Sequence, residues 1–250
     1  MSLTQATIWL NPGILIIYGA SLDAAIHQHH AIQVVWPTSS ALCTFNDGEI
    51  SGPLMINSKV EHQLQMEAGW VLLVEPQSEL GQQLSVSLGR SDAMPIEQAI
   101  PLSQVRPKPN DDPAQLLLPL TQALGLKPVF AASNSKVSDE RIQKLITQLK
   151  GCLPDGCLKP ASWRANEVAA SLSLSEGRFL HLFSETMGIT WRPYLLWHRM
   201  ICAINALTKG ACATDAAHMA GFSDSAHLSR TFRSLFGMSI REAQSLFPKG

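Results

Sequence analysis

Residues Ala213 to Arg241 read ATDAAHMAGFSDSAHLSRTFRSLFGMSIR. The small or apolar Ala216, Ala217, Met219 and Ala220 suit a short helix lying close against a neighbour. Gly221 can take positive φ at that helix's end, and Phe222 can plug inward. Ser223 and Asp224 are N-cap residues for a second helix. Along that second helix Leu228, Phe232, Leu235 and Phe236 recur at helical spacing. The other face carries Ser225, His227, Ser229, Arg230 and Arg233. A helix apolar along one side and polar-basic along the other, after a glycine turn, predicts a helix-turn-helix unit.

The unit is repeated. A shift of 49 positions lays Phe183 on Phe232, Gly188 on Gly237, Phe179 on Leu228 and Ser175 on Asp224. Asn166 to Thr190, NEVAASLSLSEGRFLHLFSETMGIT, is thus a diverged copy. Between the copies, Pro193 suits a first helical turn. Tyr194, Trp197, Ile201, Ile204 and Leu207 then step round one long helix of about five turns.

From about Ser162 to Leu246 the chain resembles the DNA-binding domain of the AraC/XylS family of bacterial transcription regulators. Ala217, Gly221, Phe222, Asp224, Leu228, Arg230, Phe232, Arg233, Gly237 and Ser239 fall on that family's second unit. Ala226 stands where the family often has Ser, and Ile240 where Pro is usual. The resemblance implies double-stranded DNA as partner, with each unit's second helix entering a major groove. The two grooves would lie about 34 Å apart on one face of the duplex. It assigns base reading in the first unit to Gly177, Arg178, Leu180 and His181. In the second unit it points to Ser225, His227, Ser229 and Arg230, with Arg233 either on DNA or paired with Asp215 or Glu242. The arginines can donate bidentately to guanine or to phosphate. RNA polymerase and a second copy of the chain are the further candidate partners, the latter from the apolar stretch Leu116–Leu124.

Composition agrees with two modest domains. Hydrophobic residues make up 46% and charged residues 16% of the 250, which fits a globular and not a disordered chain. No apolar run approaches the ~20 residues of a membrane span. The first residues lack a basic n-region and an A-x-A site, so no signal peptide is expected. The five scattered cysteines suggest reduced thiols. A cytoplasmic protein with no membrane partner is the expectation. Residues 1–137 carry six Lys/Arg against eleven Asp/Glu, and residues 138–250 carry thirteen against nine. The mildly basic C-terminal part fits a nucleic-acid module joined to something else.

The N-terminal part predicts β structure. Short apolar or alternating runs cover 6–10, 13–18, 31–36, 41–45, 54–57, 62–66 and 70–74, separated by Gly/Pro/Asn clusters. Asn46-Asp47-Gly48 is a tight-turn signal. Helical patterns follow at 75–88, 114–124 and 141–150. Domains are therefore expected at 1–90 (sensor), 91–137 (helical linker, with dimerisation) and 138–250 (DNA binding), with the main boundary near Val129–Val137.

Four histidines crowd into the β part: His27, His29, His30 and His62. A-I-H-Q-H-H-A-I-Q, followed later by a further His, resembles the cupin pattern, a jelly-roll signature. On a strand, His27, His29 and Gln33 would share one face; His30 would point the other way. The resemblance implies a ligand-binding set of His27, His29, Gln33 and His62. Three readings stay open: a small-effector pocket without metal, structural histidines that orient loops, and a bound transition metal. The first is preferred, with no cofactor, because Gln33 replaces the anionic ligand. The fold class expected is α+β: an N-terminal cupin-like β-barrel, then an all-α domain of two helix-turn-helix units joined by a long helix. The function expected is a sequence-specific DNA-binding regulator and not an enzyme. The alternative is a metal-dependent cupin enzyme with an appended helical domain.

Overall fold

The computed structural model describes residues 6–11, 13–97, 107–108, 110–127, 137–151 and 163–246. The chain divides into two compact units, Met1–Ser133 together with Arg230–Gly250, and Asn134–Ser229.

Among the described residues the first unit is built on eight antiparallel strands: β1 (Thr7–Asn11), β2 (Ile14–His27), β3 (Ile32–Pro37), β4 (Ala41–Phe45), β5 (Gly48–Ser51), β6 (Leu54–Ile56), β7 (His62–Val74) and β8 (Ala93–Pro95). β2 and β7 pair along nearly their whole length, from Ile14↔Val74 to His27↔His62. The other edge of β7 is shared. β3 pairs with Gly69–Val74 and β4 with Gln63–Met66. The path β1-β2-β7-β3-β6-β8 is not closed among the described residues, so the sheet is open and not the ring expected of a barrel. The two runs expected at 62–66 and 70–74 are one strand. Gly69 and Ala68 interrupt the apolar pattern, yet they stay on the ladder opposite Gly19 and Ala20. The Asn46–Asp47 turn joins β4 to β5, with Phe45 opposite Gly48.

One face of this sheet is covered by helices. Helix α1 (Glu79–Leu88) starts at Ser78, whose Oγ accepts from the Gly81 N–H at 3.0 Å. Its Leu80, Leu84 and Leu88 pack with Trp9, Ile16, Ile32, Val34, Trp70 and Leu72 of the sheet. The expected helix over 114–124 is two pieces, α2 (Pro113–Leu116) and α3 (Leu118–Ala123). Pro119 lacks an N–H, and the chain restarts its helix at Leu117. Leu117 and Leu120 are buried in the sheet's core, with Leu116 and Leu124 partly buried against it. The apolar side expected to serve a partner is thus largely used within the unit.

The second unit is helical: α4 (Glu140–Gly151), α5 (Ala165–Ser171), α6 (Glu176–Met187), α7 (Trp191–Thr208) and α8 (Ala213–Met219), with α9 (Ser225–Phe236) beginning in it. Asp139 caps α4, its Oδ1 accepting from Arg141 N–H at 2.9 Å. Ile142, Leu145, Ile146 and Leu149 of α4 join Val168, Phe179, Phe183, Trp191 and Tyr194 in one core. Trp191 and Trp197 of α7 are buried, 1% and 3% exposed. The last helix, α10 (Ile240–Leu246), opens on a capping box: Ser239 N–H donates to Glu242 Oε2 at 2.6 Å and Glu242 N–H to Ser239 Oγ at 3.2 Å.

Two expectations fall elsewhere. Most of the expected domain boundary, 129–136, lies outside the described residues. The thiols are not all reduced. Cys43 and Cys212 are free, and burial pushes the Cys43 thiol up to about 12, but Cys202 on α7 is disulfide-bonded. No helix among the described residues is long and apolar enough to cross a membrane.

Candidate nucleic-acid interface and histidine cluster

The two helix-turn-helix units are the same device with one residue's difference. In the first, α5 ends at Leu172 and Ser173 takes φ 56°; in the second, α8 ends at Ala220 and Gly221 takes φ 81°. Each turn closes with a matching bond: Leu174 N–H to Ala169 O and Phe222 N–H to Ala217 O, both 2.9 Å. These turns are 48 residues apart, whereas the N-caps Ser175 and Asp224 are 49 apart. Ser223 is the added residue. Ser175 Oγ accepts from Arg178 N–H at 3.3 Å and Asp224 Oδ1 from His227 N–H at 2.7 Å. Both second helices end on a left-handed glycine, Gly188 at φ 63° and Gly237 at φ 66°.

A left-handed serine costs about 1–2 kcal/mol that a glycine does not. Glycine gives back about 0.5–1 kcal/mol through the entropy of its unfolded chain. Ser173→Gly is therefore expected to raise the stability of the second unit by about 0.5–1 kcal/mol, read as a higher urea midpoint at unchanged slope. A midpoint lower than the parent's would show that the Ser173 side chain contributes more than its backbone costs.

On α6 the exposed positions are Glu176, Gly177, Arg178, His181 and Glu185. His181 Nε2 lies 3.1 Å from Glu185 Oε1, an exposed pair one turn apart. Leu180 is half-buried and packs on the unit's core, leaving only part of its side chain for contact. On α9, Arg230 and Arg233 are exposed, whereas Ser225, His227 and Ser229 are half-buried. His227 Nδ1 is 3.1 Å from Ser223 Oγ, and its ring stands edge-on to Phe222. This histidine thus also organises the start of its own helix. The positive charge of Arg233 helps hold the Glu242 carboxyl below its usual range, behind the larger effect of the Ser239 hydrogen bonds. Of the two partners expected for Arg233, Glu242 is the one whose charge it meets.

The histidine cluster forms where β2 ends and β7 begins. His27 and His62 are cross-strand partners, with ring centroids 4.3 Å apart. His29 does not share a strand with His27: it sits in the connection to β3, and its ring reaches 5.6 Å from each of the other two. A fold-back of the chain, not strand alternation, brings it there. Gln33 on β3 completes the set, its Oε1 lying 2.8 Å from His29 Nε2 and 3.3 Å from His62 Nε2. All four residues are buried. Each Nδ1 faces a backbone carbonyl: His27 that of Ala25 at 2.8 Å, His29 that of Ala31 at 2.9 Å, His62 that of Val60 at 2.9 Å. A carbonyl only accepts, so each Nδ1 carries the proton. Burial pushes all three below the ordinary histidine value, His29 to about 4 and His62 to about 3, so the rings are neutral at pH 7. Their metal-capable atoms all lie within 4.8 Å of one another. His30 turns away and packs, with Nε2 3.3 Å from Gln77 Oε1 and its carbonyl accepting from Ser58 Oγ at 2.5 Å.

Sequence reasoning missed an open groove of about 780 Å³ on the sheet, lined by Leu22, Asp23, Leu42, Glu49, Met66 and Glu67. These residues come from four strands, and no short motif links them. Its acidic side chains suit a cationic or hydrogen-bond-donating molecule.

Residues 168–245 match the family described as a helix-turn-helix domain. No curated protein matches the chain. Among solved structures, an apo variant of ToxT from Vibrio cholerae strain SCE256 superposes with a TM-score of 0.55 at 12% identity, covering 95% of this chain and 99% of that one. ToxT from Vibrio cholerae O395 bound to (E)-4-(8-methylnaphthalen-1-yl)but-3-enoic acid gives 0.52 at 14% identity, covering 97% of each chain. At such identities the likeness is one of fold: an N-terminal sheet followed by helix-turn-helix units. Taken with the doubled unit, residues 168–245 form a helix-turn-helix domain of the kind found in DNA-binding regulators.

Proposed function

We propose that α6 and α9 enter successive major grooves on one face of DNA, and that the N-terminal sheet domain controls this binding by taking up a small effector at its histidine end. The observation that carries the DNA reading is an exposed arginine on each second helix, Arg178 on α6 and Arg230 on α9, with the opposite face of each helix buried in core. Gly177, Leu180, His181, Ser225, His227 and Ser229 form the surrounding contact surface, and Arg233 contacts the flanking phosphate. The effector reading rests on the buried, convergent set His27, His29, Gln33 and His62. A protein of the same fold binds an organic acid, which supports control by a small molecule. RNA polymerase is the further partner of a regulator of this type, and the cytoplasm its place of work. Self-association through α2 and α3 has little to stand on, since Leu117 and Leu120 are buried in the unit's own core. The enzyme reading needs an acid or base beside the cluster, and the cluster offers an amide there.

A genome-wide footprint supplies the operator, and the expected sites are two half-sites about 10–10.5 base pairs apart. On that operator, Arg230→Ala and Arg178→Ala are each expected to cost about 1–3 kcal/mol of specific affinity. The urea midpoint should stay put, because both side chains are exposed. Unchanged operator affinity in both variants would remove these residues from the interface.

A further inference from the structure

We propose that the two second helices select different half-sites. Each pairs a guanine-reading arginine with a histidine locked to accept a hydrogen bond from cytosine or adenine, and the order of the two is reversed between α6 and α9. This rests on the DNA-binding reading given above and adds which bases each helix, or reader, takes.

The reversal shows once the helices are aligned on their caps. Arg178 stands three residues after the N-cap Ser175, and His227 three after Asp224. The backbone N–H of each is held by its cap side chain, so the two positions match in the helix as well as in count. His181 and Arg230 are the sixth residues after the same caps. The first reader thus carries Arg then His, and the second His then Arg. Residues three apart share a helix face, and on a helix lying in the major groove they meet successive base pairs. The ion pairs among the described residues, Arg141 with Asp139 and His181 with Glu185, involve neither arginine of the readers. Both guanidinium forks are open to guanine O6 and N7.

The tautomers follow from the partners. His181 Nε2 lies 3.1 Å from Glu185 Oε1. A carboxylate only accepts, so Nε2 carries the proton and the neutral ring keeps a lone pair at Nδ1. His227 is locked the other way round. Ser223 Oγ donates its one proton to Asp224 Oδ2 at 3.0 Å. The same oxygen lies 3.1 Å from His227 Nδ1 and is left to accept, so Nδ1 carries the proton and Nε2 the lone pair. Phe222 packs edge-on to that ring at 5.2 Å. Each histidine therefore offers the groove one acceptor, its donor being spent within the protein. Cytosine N4 and adenine N6 are the donors in the major groove, whereas guanine O6 and thymine O4 would set lone pair against lone pair. Glu185 and Ser223 are positioning residues that act through their histidines. The operator is then neither a direct nor an inverted repeat. Read 5′ to 3′ along the strand each helix contacts, guanine and the donor base exchange places between the two halves.

The test selects sites for the full chain from duplexes randomised over about 20 base pairs, room for two half-sites one helical turn apart. Selection runs at about pH 8, where imidazole carries no charge. Arg178→Ala and Arg230→Ala should each relax one guanine, which marks the two halves and their contacted strands. Beside each guanine, on the same strand, cytosine or adenine should be selected, after it in one half and before it in the other. Exchanging either selected base should weaken binding by about fivefold or more. Glu185→Ala should erase the donor-base preference in the first reader's half alone, and Ser223→Ala in the second's alone. Both residues are exposed, so circular dichroism should match the parent's. Loss of packing would weaken binding to every sequence alike and move no single position. Three results overturn the inference: halves in the same order, guanine or thymine on that strand at the histidine positions, or both preferences intact in Glu185→Ala and Ser223→Ala. Each of these comes with a selected operator and leaves the regulator reading standing. A chain that enriches no sequence from the library sinks the regulator reading itself.

Discussion

Phe183→Ala is expected to destabilise the second unit by about 3–5 kcal/mol, enough to abolish DNA binding through loss of the folded reader. Phe183 is fully buried. Its ring meets Trp191 edge-on at 5.1 Å and Tyr194 at 5.3 Å, and Phe179 completes the group at 5.8 Å. Trp191 is in turn pinned by its indole N–H, which donates to the Trp163 carbonyl at 3.2 Å. Truncation leaves a cavity walled by rigid rings, which cannot collapse as a cluster of leucines can. Edge-to-face pairing adds about 0.5–1.5 kcal/mol for each aromatic neighbour beyond the area buried. Arg178, on the exposed side of the same helix, is the control, and Arg178→Ala should stay within about 0.5 kcal/mol of the parent. The measurement is a urea titration of the full chain followed by tryptophan fluorescence. A Phe183→Ala midpoint at the parental value would mean that α6 does not pack on α7 as described.

The reader domain was legible because its physics is local and written twice. Phe179, Phe183, Leu228 and Phe232 repeat at helical spacing, and Gly188 and Gly237 mark both helix ends. The strands were legible where polar and apolar residues alternate or a turn signal intervenes, as at Asn46–Asp47. Interruptions were harder. Ala68 and Gly69 look like a break, but backbone pairing with β2 carries the strand through them. Ser173 gave no sign of positive φ, since the resemblance between the turns is offset by one residue there. Membership of the cluster was read correctly from a motif, but for a wrong local reason: His29 arrives from a loop and not by strand parity. Contacts between distant backbone atoms, such as Ala25 with Gly237, leave no trace in residue type beyond a glycine that a helix cap already explains.

The histidine cluster makes the protein acid-labile. In the unfolded chain a histidine takes up its proton near pH 6.5. In the folded protein burial keeps His29 neutral down to about 4 and His62 to about 3, with His27 also lowered and the mutual repulsion of the rings adding to the effect. Between these values and 6.5 the unfolded state binds protons that the folded state refuses, so stability rises with pH over that window. The contribution is fully present above about pH 6.5 and is lost as the pH falls toward 4 and then 3. At ~1.4 kcal/mol per tenfold in proton affinity, the loss is on the order of several kcal/mol. That is a large share of the ~5–15 kcal/mol usual for a folded domain. Urea midpoints of the full chain should therefore hold level at pH 7 to 8 and drop steeply from pH 6 to 4.5. Carboxylates contribute over a lower range; Asp139, held near 2 by its hydrogen bonds with Arg141, belongs there. His29→Gln separates the two sources: an amide that never ionises should flatten the fall between pH 6 and 4.5 and leave the fall below pH 4 in place. Parallel curves for parent and variant across the whole range would mean that His29 is already open to water and protonates freely in the folded chain.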